Sequence, residues 1–144
     1  YKYNLTDLAA AIGREQLKKA DLFLARRREI AEAYNRVFTS HGQLEIPRPA
    51  GDHAWHLYIL RLCGPVHGRR DLLLNRLREQ GIGASVHYIP LHLMPYYRDL
   101  YGLEPEEFPN ALDAYQRSLS LPIYPGMEDC QVDRVIRAVE NGIV

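Results

Sequence analysis

The sequence has no excess of either charge, almost no cysteine and no long apolar run. Lys and Arg number 18 and Asp and Glu number 18, so the formal net charge is zero over 144 residues. This balance argues against a dedicated nucleic-acid binder and against a polybasic membrane-surface protein, because both need a basic surplus. No apolar run approaches the roughly 20 residues of a membrane span. Cys63 and Cys130 do not make a disulfide framework, so a reducing, cytoplasmic location is expected.

The sequence also lacks a self-contained catalytic motif. It has no glycine-rich phosphate-binding loop, no serine nucleophile elbow and no paired metalloprotease histidines. His53 and His56 fall at the start of a predicted strand, and neither cysteine has a second cysteine nearby, so we predict no metal site. If this chain is part of an enzyme, the central chemistry is expected to lie in another part of the protein.

The N-terminal region predicts one long helix. The chain starts without Met and a helical pattern begins almost at once, which predicts a piece of a longer protein. Apolar residues recur at helical spacing from Leu5 to Phe38, and Thr6 is a suitable N-cap. A helix over residues 6–38 would be about 50 Å long at 1.5 Å per residue. Such a length is typical of a helix that links two bodies or braces a subunit interface.

The rest of the chain has ordinary globular composition, with 47% hydrophobic and 25% charged residues overall. Gly81 and Gly142 are each expected to end the helix that they follow. The length matches about one domain, and the predicted fold is α/β in an α+β arrangement. A long N-terminal helix is followed by a small, roughly three-stranded sheet packed with helices. We predict strands at 54–62, 84–88 and 118–122, helices at 69–80, 110–117 and 128–141, and a helical turn near 95–101.

The strand at 54–62 is apolar on both faces. A strand with one solvated face would alternate apolar and polar residues, so both faces of this strand require cover. The two faces are Trp55, Leu57 and Ile59, and Tyr58, Leu60 and Leu62.

The segment from Ser85 to His92 carries the most reactive side chains. In a strand, Ser85 and His87 share one face and Tyr88 lies on the other, while Pro90 ends the strand. Loops after strand ends commonly build binding sites, and His87 and His92 are both placed to approach a ligand. The alternative is a strand histidine bonded to backbone and a loop histidine in water.

A basic run lies on the predicted long helix. Arg26–Arg28 is accompanied by Glu29 and Glu32, which favours a solvated face. A salt-bridged interface or a phosphate contact is the alternative.

Five segments, in order along almost the whole chain, carry a resemblance to one protein family. The segments are residues 1–13 (YKYNLTDLAAAIG), 16–19 with 26–31 (QLKK and RRREIA), 53–58 (HAWHLY), 81–92 (GIGASVHYIPLH) and 108–111 with 119–127 (FPNA and LSLPIYPGM). Together they resemble the DegT/DnrJ/StrS sugar aminotransferases.

This resemblance implies the small C-terminal domain of a fold-type-I enzyme that depends on pyridoxal 5'-phosphate. Residues 1–144 would be that single domain, with 6–38 as the linking helix. A large N-terminal domain outside this chain would carry the Schiff-base lysine and most of the cofactor bed. The implied enzyme is a homodimer that transfers an amino group from glutamate to a nucleotide-linked keto sugar, in surface polysaccharide or amino-sugar biosynthesis. No nucleic acid or membrane partner is implied.

The resemblance also implies roles for particular residues. Tyr3 and Asn4, with Lys2 beside them, are expected to reach the cofactor phosphate of the partner subunit. His87 and Tyr88 are expected near the sugar or nucleotide, with His92 in the same loop. No catalytic residue is expected in this chain, which alone should be inert. Two alternatives stay open: a dehydratase of the same family, which carries His in place of the lysine, and a non-enzymatic helical dimerisation module.

Overall fold

Six helices and three short strands make up the fold of the residues that the structure describes. The computed structural model describes residues 4–48 and 51–143. Short 3₁₀ turns lie at Gly64–Arg69, Leu91–Leu93 and Pro105–Glu107. The helices are α1 (Asp7–Leu17), α2 (Ala20–Phe38), α3 (Arg70–Glu79), α4 (Pro95–Tyr101), α5 (Pro109–Arg117) and α6 (Asp129–Gly142), and the strands are β1 (Leu44–Glu45), β2 (Tyr58–Leu62) and β3 (Ser118–Leu121).

The prediction of a single helix over residues 6–38 is wrong in one respect, because the helix is interrupted at Lys18 and Lys19. Thr6 caps α1 as expected, accepting a hydrogen bond from the Ala9 amide at 3.3 Å. At Lys18 and Lys19 the backbone makes a turn in which the Lys19 amide donates to Gln16 O at 3.0 Å, a tighter i to i−3 bond. Helix α1 has no buried residue, so no tertiary packing holds it in register with α2. Apolar spacing does not reveal a step of this kind, because the pattern continues through it.

The three strands form an antiparallel sheet in the order β1-β2-β3. Leu44 pairs with Leu62, and Tyr58 pairs with Leu121. The predicted strand at 84–88 is reduced to a single bridge between Ser85 and Ser120, and the third strand is instead the two-residue β1. The predicted mixture of helices and a small three-stranded sheet is confirmed, but with one strand assigned to the wrong segment.

An aromatic cluster fills the core between α2 and the sheet. The rings of Tyr34 and Tyr58 meet edge to face at 4.9 Å between centroids, and Phe38 lies 5.7 Å from Tyr34. Tyr34 donates its hydroxyl to Pro122 O and Tyr58 donates to Asn35 Oδ1, each at 2.8 Å. Burial raises the pKa of both tyrosine hydroxyls well above the ordinary value, so both stay protonated donors.

Two glycines end helices in different ways. Gly81 follows α3 with φ +71°, and the bonds from Gly81 N to Arg78 O and from Ile82 N to Leu77 O form a Schellman motif. Gly81 therefore ends its helix as predicted. Gly142 does not follow α6 but is its last residue, and it is buried against α3.

The predicted solvated face is wrong for two of the three arginines on α2, because Arg26 and Arg27 are half-buried, whereas Arg28 is exposed. The guanidinium of Arg26 donates to Met127 O at 2.6 Å and to Asp129 Oδ1 at 2.7 Å. Arg27 donates to Trp55 O and Ile123 O, each at 2.9 Å. These bonds tie α2 to the segment that enters β2 and to the segment that leaves β3. None of the helices within residues 4–48 and 51–143 combines the length and the apolar composition that a membrane span needs.

Candidate functional site

The two faces of the sheet have different roles. Tyr58, Leu60 and Leu121 point into the aromatic core and are almost fully buried. Side chains of the alternate register, Ile59 and Arg61, lie on the opposite face and are half-buried. Both faces of β2 are therefore covered, as its sequence predicts, but side chains on the second face stay partly accessible to solvent.

A small cavity lies on this second face. It has a volume of about 180 Å³ and is enclosed by β2, by the start of β3, by residues 86–90 and by α5. We call it the His87 pocket. Its lining includes Ile59, Arg61, His87, Tyr88, Ala114 and Tyr115.

His87 is held in this pocket by a side-chain hydrogen bond. Its Nδ1 lies 2.8 Å from Ser120 Oγ, whereas Ser85 Oγ is 3.4–3.5 Å from the two ring nitrogens. The ring of Tyr88 meets the His87 ring edge to face at 4.8 Å. Tyr88 itself is 74% exposed. The alternative of a histidine bonded to backbone is not what the structure shows, because the partner of His87 is a hydroxyl.

His92 lies elsewhere and is not in water. It is buried, its ring lies 4.8 Å from the Phe108 ring between centroids at a tilt of 30°, and it does not line the His87 pocket. Its Nε2 has no hydrogen-bond partner in the part of the chain that the structure describes. The predicted role of His92 in substrate binding stays a prediction, and its burial among loop residues argues against a direct contact.

The predicted cofactor contacts are described only in part. Asn4 is exposed and immediately precedes the α1 cap region. Tyr3 and Lys2 lie outside the described residues. The role of all three residues stays a prediction.

A network of ion pairs reaches the His87 pocket through Arg61, which is part of the pocket lining. Glu45 accepts from Arg61 at 3.1 Å and from Arg117 at 2.6 Å, and Asp113 accepts from Arg117 at 2.7 Å and lies 2.9 Å from His67 Nε2. The hydrogen bond from Arg117 lowers the pKa of Glu45. The pKa of Asp113 is lowered mainly by its hydrogen bond with His67 and next by the hydrogen bond that it accepts from Arg117. We call these five residues the ion-pair network.

A buried arginine fixes the α5 wall of the pocket. Arg70 Nη1 donates to Tyr115 O at 2.9 Å, where α5 ends, and its guanidinium lies 5.0 Å from the Tyr115 ring centroid. A cation beside the last carbonyls of a helix complements the helix dipole. Sequence reasoning missed Arg61, Arg70 and Arg117, because an isolated arginine shows no partner until the fold brings distant segments together.

Two surfaces carry exposed apolar side chains. One is the apolar stripe of α1 and the residues beside it, including Leu8 and Ile12, which are 74% and 57% exposed. The other, which we call the aromatic surface, includes Tyr88, Tyr96, Tyr101 and Phe108. Single exposed apolar side chains are ordinary on a protein surface, whereas an exposed apolar patch is typical of an interaction site.

The described residues contain no group of three or more His, Cys, Asp or Glu side chains that is arranged to hold a metal ion.

The described residues include two lysines, Lys18 and Lys19, which lie between α1 and α2. Lys18 pairs with Glu15 at 2.5 Å.

Two curated relatives match almost the whole chain. An uncharacterized protein of Methanocaldococcus jannaschii is 46% identical over 144 residues. The spore coat polysaccharide biosynthesis protein SpsC of Bacillus subtilis is 44% identical over 145 residues. Each match covers 98% of this chain but 37% of the relative, so the chain spans little more than a third of their length.

Solved structures share the fold. Helicobacter pylori PseC, an aminotransferase involved in the biosynthesis of pseudoaminic acid, superposes with a TM-score of 0.90 at 28% identity, over 99% of this chain and 38% of its own. The aminotransferase TlmJ of Streptoalloteichus hindustanus has a TM-score of 0.83 at 35% identity, over 95% and 36%. Spr1654 of Streptococcus pneumoniae, in its PLP form, has a TM-score of 0.90 at 29% identity, over 99% and 37%.

The expected fold is that of these aminotransferases, and the agreement extends from structure to sequence. Residues 1–140 match the DegT/DnrJ/EryC1/StrS aminotransferase family. With nearly the full chain matched, this chain belongs to the DegT/DnrJ/EryC1/StrS aminotransferase family.

Proposed function

We propose that this chain is the small C-terminal domain of a pyridoxal-phosphate-dependent enzyme that moves an amino group from glutamate to a nucleotide-linked keto sugar. The product would serve surface polysaccharide or amino-sugar biosynthesis. The observation that carries the proposal is the family match over residues 1–140 in a chain that spans about a third of its relatives. The relatives SpsC and PseC, which are named for polysaccharide and pseudoaminic acid biosynthesis, support the sugar substrate.

The described lysines do not fit the Schiff-base position. Lys18 is exposed and paired with Glu15, and Lys19 is exposed beside it. We therefore place the cofactor lysine and most of the cofactor bed in the part of the protein outside this chain. Pyridoxal phosphate supplies the electron sink and the carrier for the amino group. Asn4 fits a phosphate contact, because its amide is exposed beside the N-terminus of α1, where backbone N–H groups favour an anion. Tyr3 and Lys2 would assist across a homodimer interface.

The His87 pocket fits an oxygen-rich ring. Ile59 and Ala114 supply apolar lining, while His87 supplies a polar ring edge. Arg61 is already paired with Glu45 at 3.1 Å, so it adds positive potential at the rim rather than a free donor. The exposed Tyr88 ring offers a flat surface on which a sugar or base can stack. The chain's own residues would thus bind and orient the substrate, while the central proton transfers take place elsewhere.

The His87 role is tested with His87→Ala in the complete protein. Loss of one substrate hydrogen bond should raise KM for the keto sugar about twofold to tenfold, while the absorption spectrum of the bound cofactor stays unchanged. His56→Ala is the control, because His56 is exposed and does not line the pocket. Loss of cofactor from the His87 variant, or an unchanged KM, would show that the assigned role is wrong.

The reaction class is tested on the complete protein supplied with pyridoxal phosphate. An aminotransferase should bind the cofactor, and glutamate should change its absorption spectrum in the absence of any sugar. A bound cofactor whose absorption spectrum does not change on addition of glutamate would overturn the aminotransferase proposal in favour of the dehydratase alternative. No cofactor binding at all would instead favour the non-enzymatic interaction module.

A further inference from the structure

Ser120 is a buried polar residue on the pocket side of the sheet. It is 3% exposed and lies in β3 between Leu119 and Leu121, which both face the core. Strand alternation places its side chain with Ile59, its cross-strand neighbour, on the opposite face. A buried hydroxyl requires a hydrogen-bond partner.

The hydroxyl of Ser120 has one such partner within residues 4–48 and 51–143, the His87 Nδ1 atom at 2.8 Å. A hydroxyl proton that is removed from water must be donated, and Nδ1 is the acceptor available to it. In a neutral imidazole, one nitrogen accepts and the other carries the proton. If Nδ1 accepts from Ser120, the proton of His87 is therefore on Nε2.

The same serine also fixes the backbone that carries His87. Ser120 N donates to Ser85 O at 2.7 Å, and Ser85 N donates to Ser120 O at 3.1 Å. This pair of bonds is the single bridge between residues 84–88 and the sheet in the described chain. Ser120 thus contacts both the segment that carries His87 and the imidazole ring itself, which leaves the ring little freedom to rotate.

We propose that Ser120 is a positioning residue that holds His87 in the Nε2–H form, so that a ligand in the His87 pocket meets a hydrogen-bond donor. The ligand group would be an acceptor oxygen, such as a sugar hydroxyl, carbonyl or phosphate oxygen of the nucleotide-linked sugar. This inference rests on the proposed function for the identity of the ligand. The tautomer of His87 itself depends only on Ser120.

The direct test is NMR of the complete protein with its histidine rings labelled with ¹³C and ¹⁵N, and His87→Ala identifies the signal of His87. At neutral pH we expect a ¹⁵N shift typical of an accepting Nδ1 and a protonated Nε2. Ser120→Ala should convert this to a mixture of tautomers, and Ser120→Cys, with a weaker donor of similar size, should give an intermediate result. Ser85→Ala is the matched control and should leave the tautomer unchanged, because Ser85 Oγ lies at 3.4–3.5 Å.

A protonated Nδ1 in the unmodified protein would overturn the proposal without any Ser120 variant, even if Ser120→Ala failed to fold. An unchanged tautomer in a folded Ser120→Ala would overturn it too. Kinetics provide the second readout: Ser120→Ala should raise KM about twofold to tenfold with a smaller change in kcat. If His87→Ala leaves KM unchanged while the tautomer responds to Ser120, the substrate role fails and the positioning role stands.

Discussion

Gly142 shows how a single residue sets the packing of two helices. A Cβ at this position would overlap Cδ1 of Leu73, which is 1% exposed and enclosed by the core. Arg76 also donates to Gly142 O at 2.8 Å, which holds the end of α6 close to α3. Gly142 is therefore required for close approach and not for a positive φ.

Gly142→Ala should destabilise this chain by about 1–3 kcal/mol, because Leu73 or the α6 backbone must move. Urea unfolding of the purified chain measures the change. Gly13→Ala is the control: Gly13 lies in exposed α1 with no atom within 4 Å of its Cβ position, so that variant should be neutral or slightly stabilising. Equal effects at both positions would contradict the packing role.

Part of the site could be predicted from the sequence, namely His87, but its hydrogen-bond partner Ser120 could not. His87 was recognisable because histidine beside a strand end is chemically conspicuous and because the surrounding segment resembles a family motif. Ser120 has a weaker sequence signal, because alternation in β3 places a small polar residue on the pocket side of the strand. The bond between the two residues spans 33 positions, so local periodicity gives no indication of it.

At the scale of elements, the ion-pair network joins β1, β2, α5 and the turn before α3. Both carboxylates in it, Glu45 and Asp113, have lowered pKa values in the folded chain. A lowered pKa stabilises the folded state at pH values above the unfolded pKa, which is about 4 for these groups. That stabilisation is lost as the pH falls through the lower folded values.

Arg117→Met should therefore be less stable than the unmodified chain at pH 7, by less than about 1 kcal/mol for each half-exposed pair. The difference should shrink as the pH falls from about 5 through the lowered pKa values of the folded chain, below which the carboxylates are protonated in both proteins. Urea unfolding at a series of pH values measures this. Arg98→Met is the control, because among the described residues Arg98 pairs with exposed Asp99 on α4 and not with the network. A parallel loss in that variant would argue against the network.

Three helices were predictable from the sequence. Helices α3, α5 and α6 lie within one or two residues of their predicted bounds. The break at Lys18–Lys19 escaped prediction because both sides of it carry the same helical pattern. Strand β1 was missed because two residues do not show alternation. The arginine contacts of α2 were missed because their partners are distant in sequence: the carbonyl that accepts from Arg26 is 101 positions away, and the nearer carbonyl that accepts from Arg27 is 28 positions away.

At the scale of the whole molecule, α1 contributes little to the stability of this chain. It has no buried residue, while α2 buries Ile30, Ala31, Tyr34 and Phe38. The apolar stripe of α1 fits the proposal that the rest of a longer protein, or a second subunit, covers it. The folding core of these residues thus begins at α2.

Ile12→Glu should change the unfolding free energy of this chain by less than about 0.5 kcal/mol, because its side chain is already in water. Ile30→Ala is the comparison and should cost about 2–5 kcal/mol, because Ile30 is 1% exposed. In the complete protein, Ile12→Glu should weaken subunit or domain association, which sedimentation velocity and thermal unfolding can detect. A large destabilisation of the short chain by Ile12→Glu would show that α1 packs on it after all.

The two-residue length of β1 has a consequence for self-association. An exposed sheet edge with free N–H and C=O groups can recruit a strand from another copy, and proteins commonly avoid this with short, charged or proline-bearing edges. Here one edge consists of Leu44 and Glu45 alone, followed closely by Pro47, and the opposite edge is partly occupied by the bridge from Ser85. The small sheet is thereby protected from edge-to-edge polymerisation, although the apolar stripe of α1 and the aromatic surface are exposed.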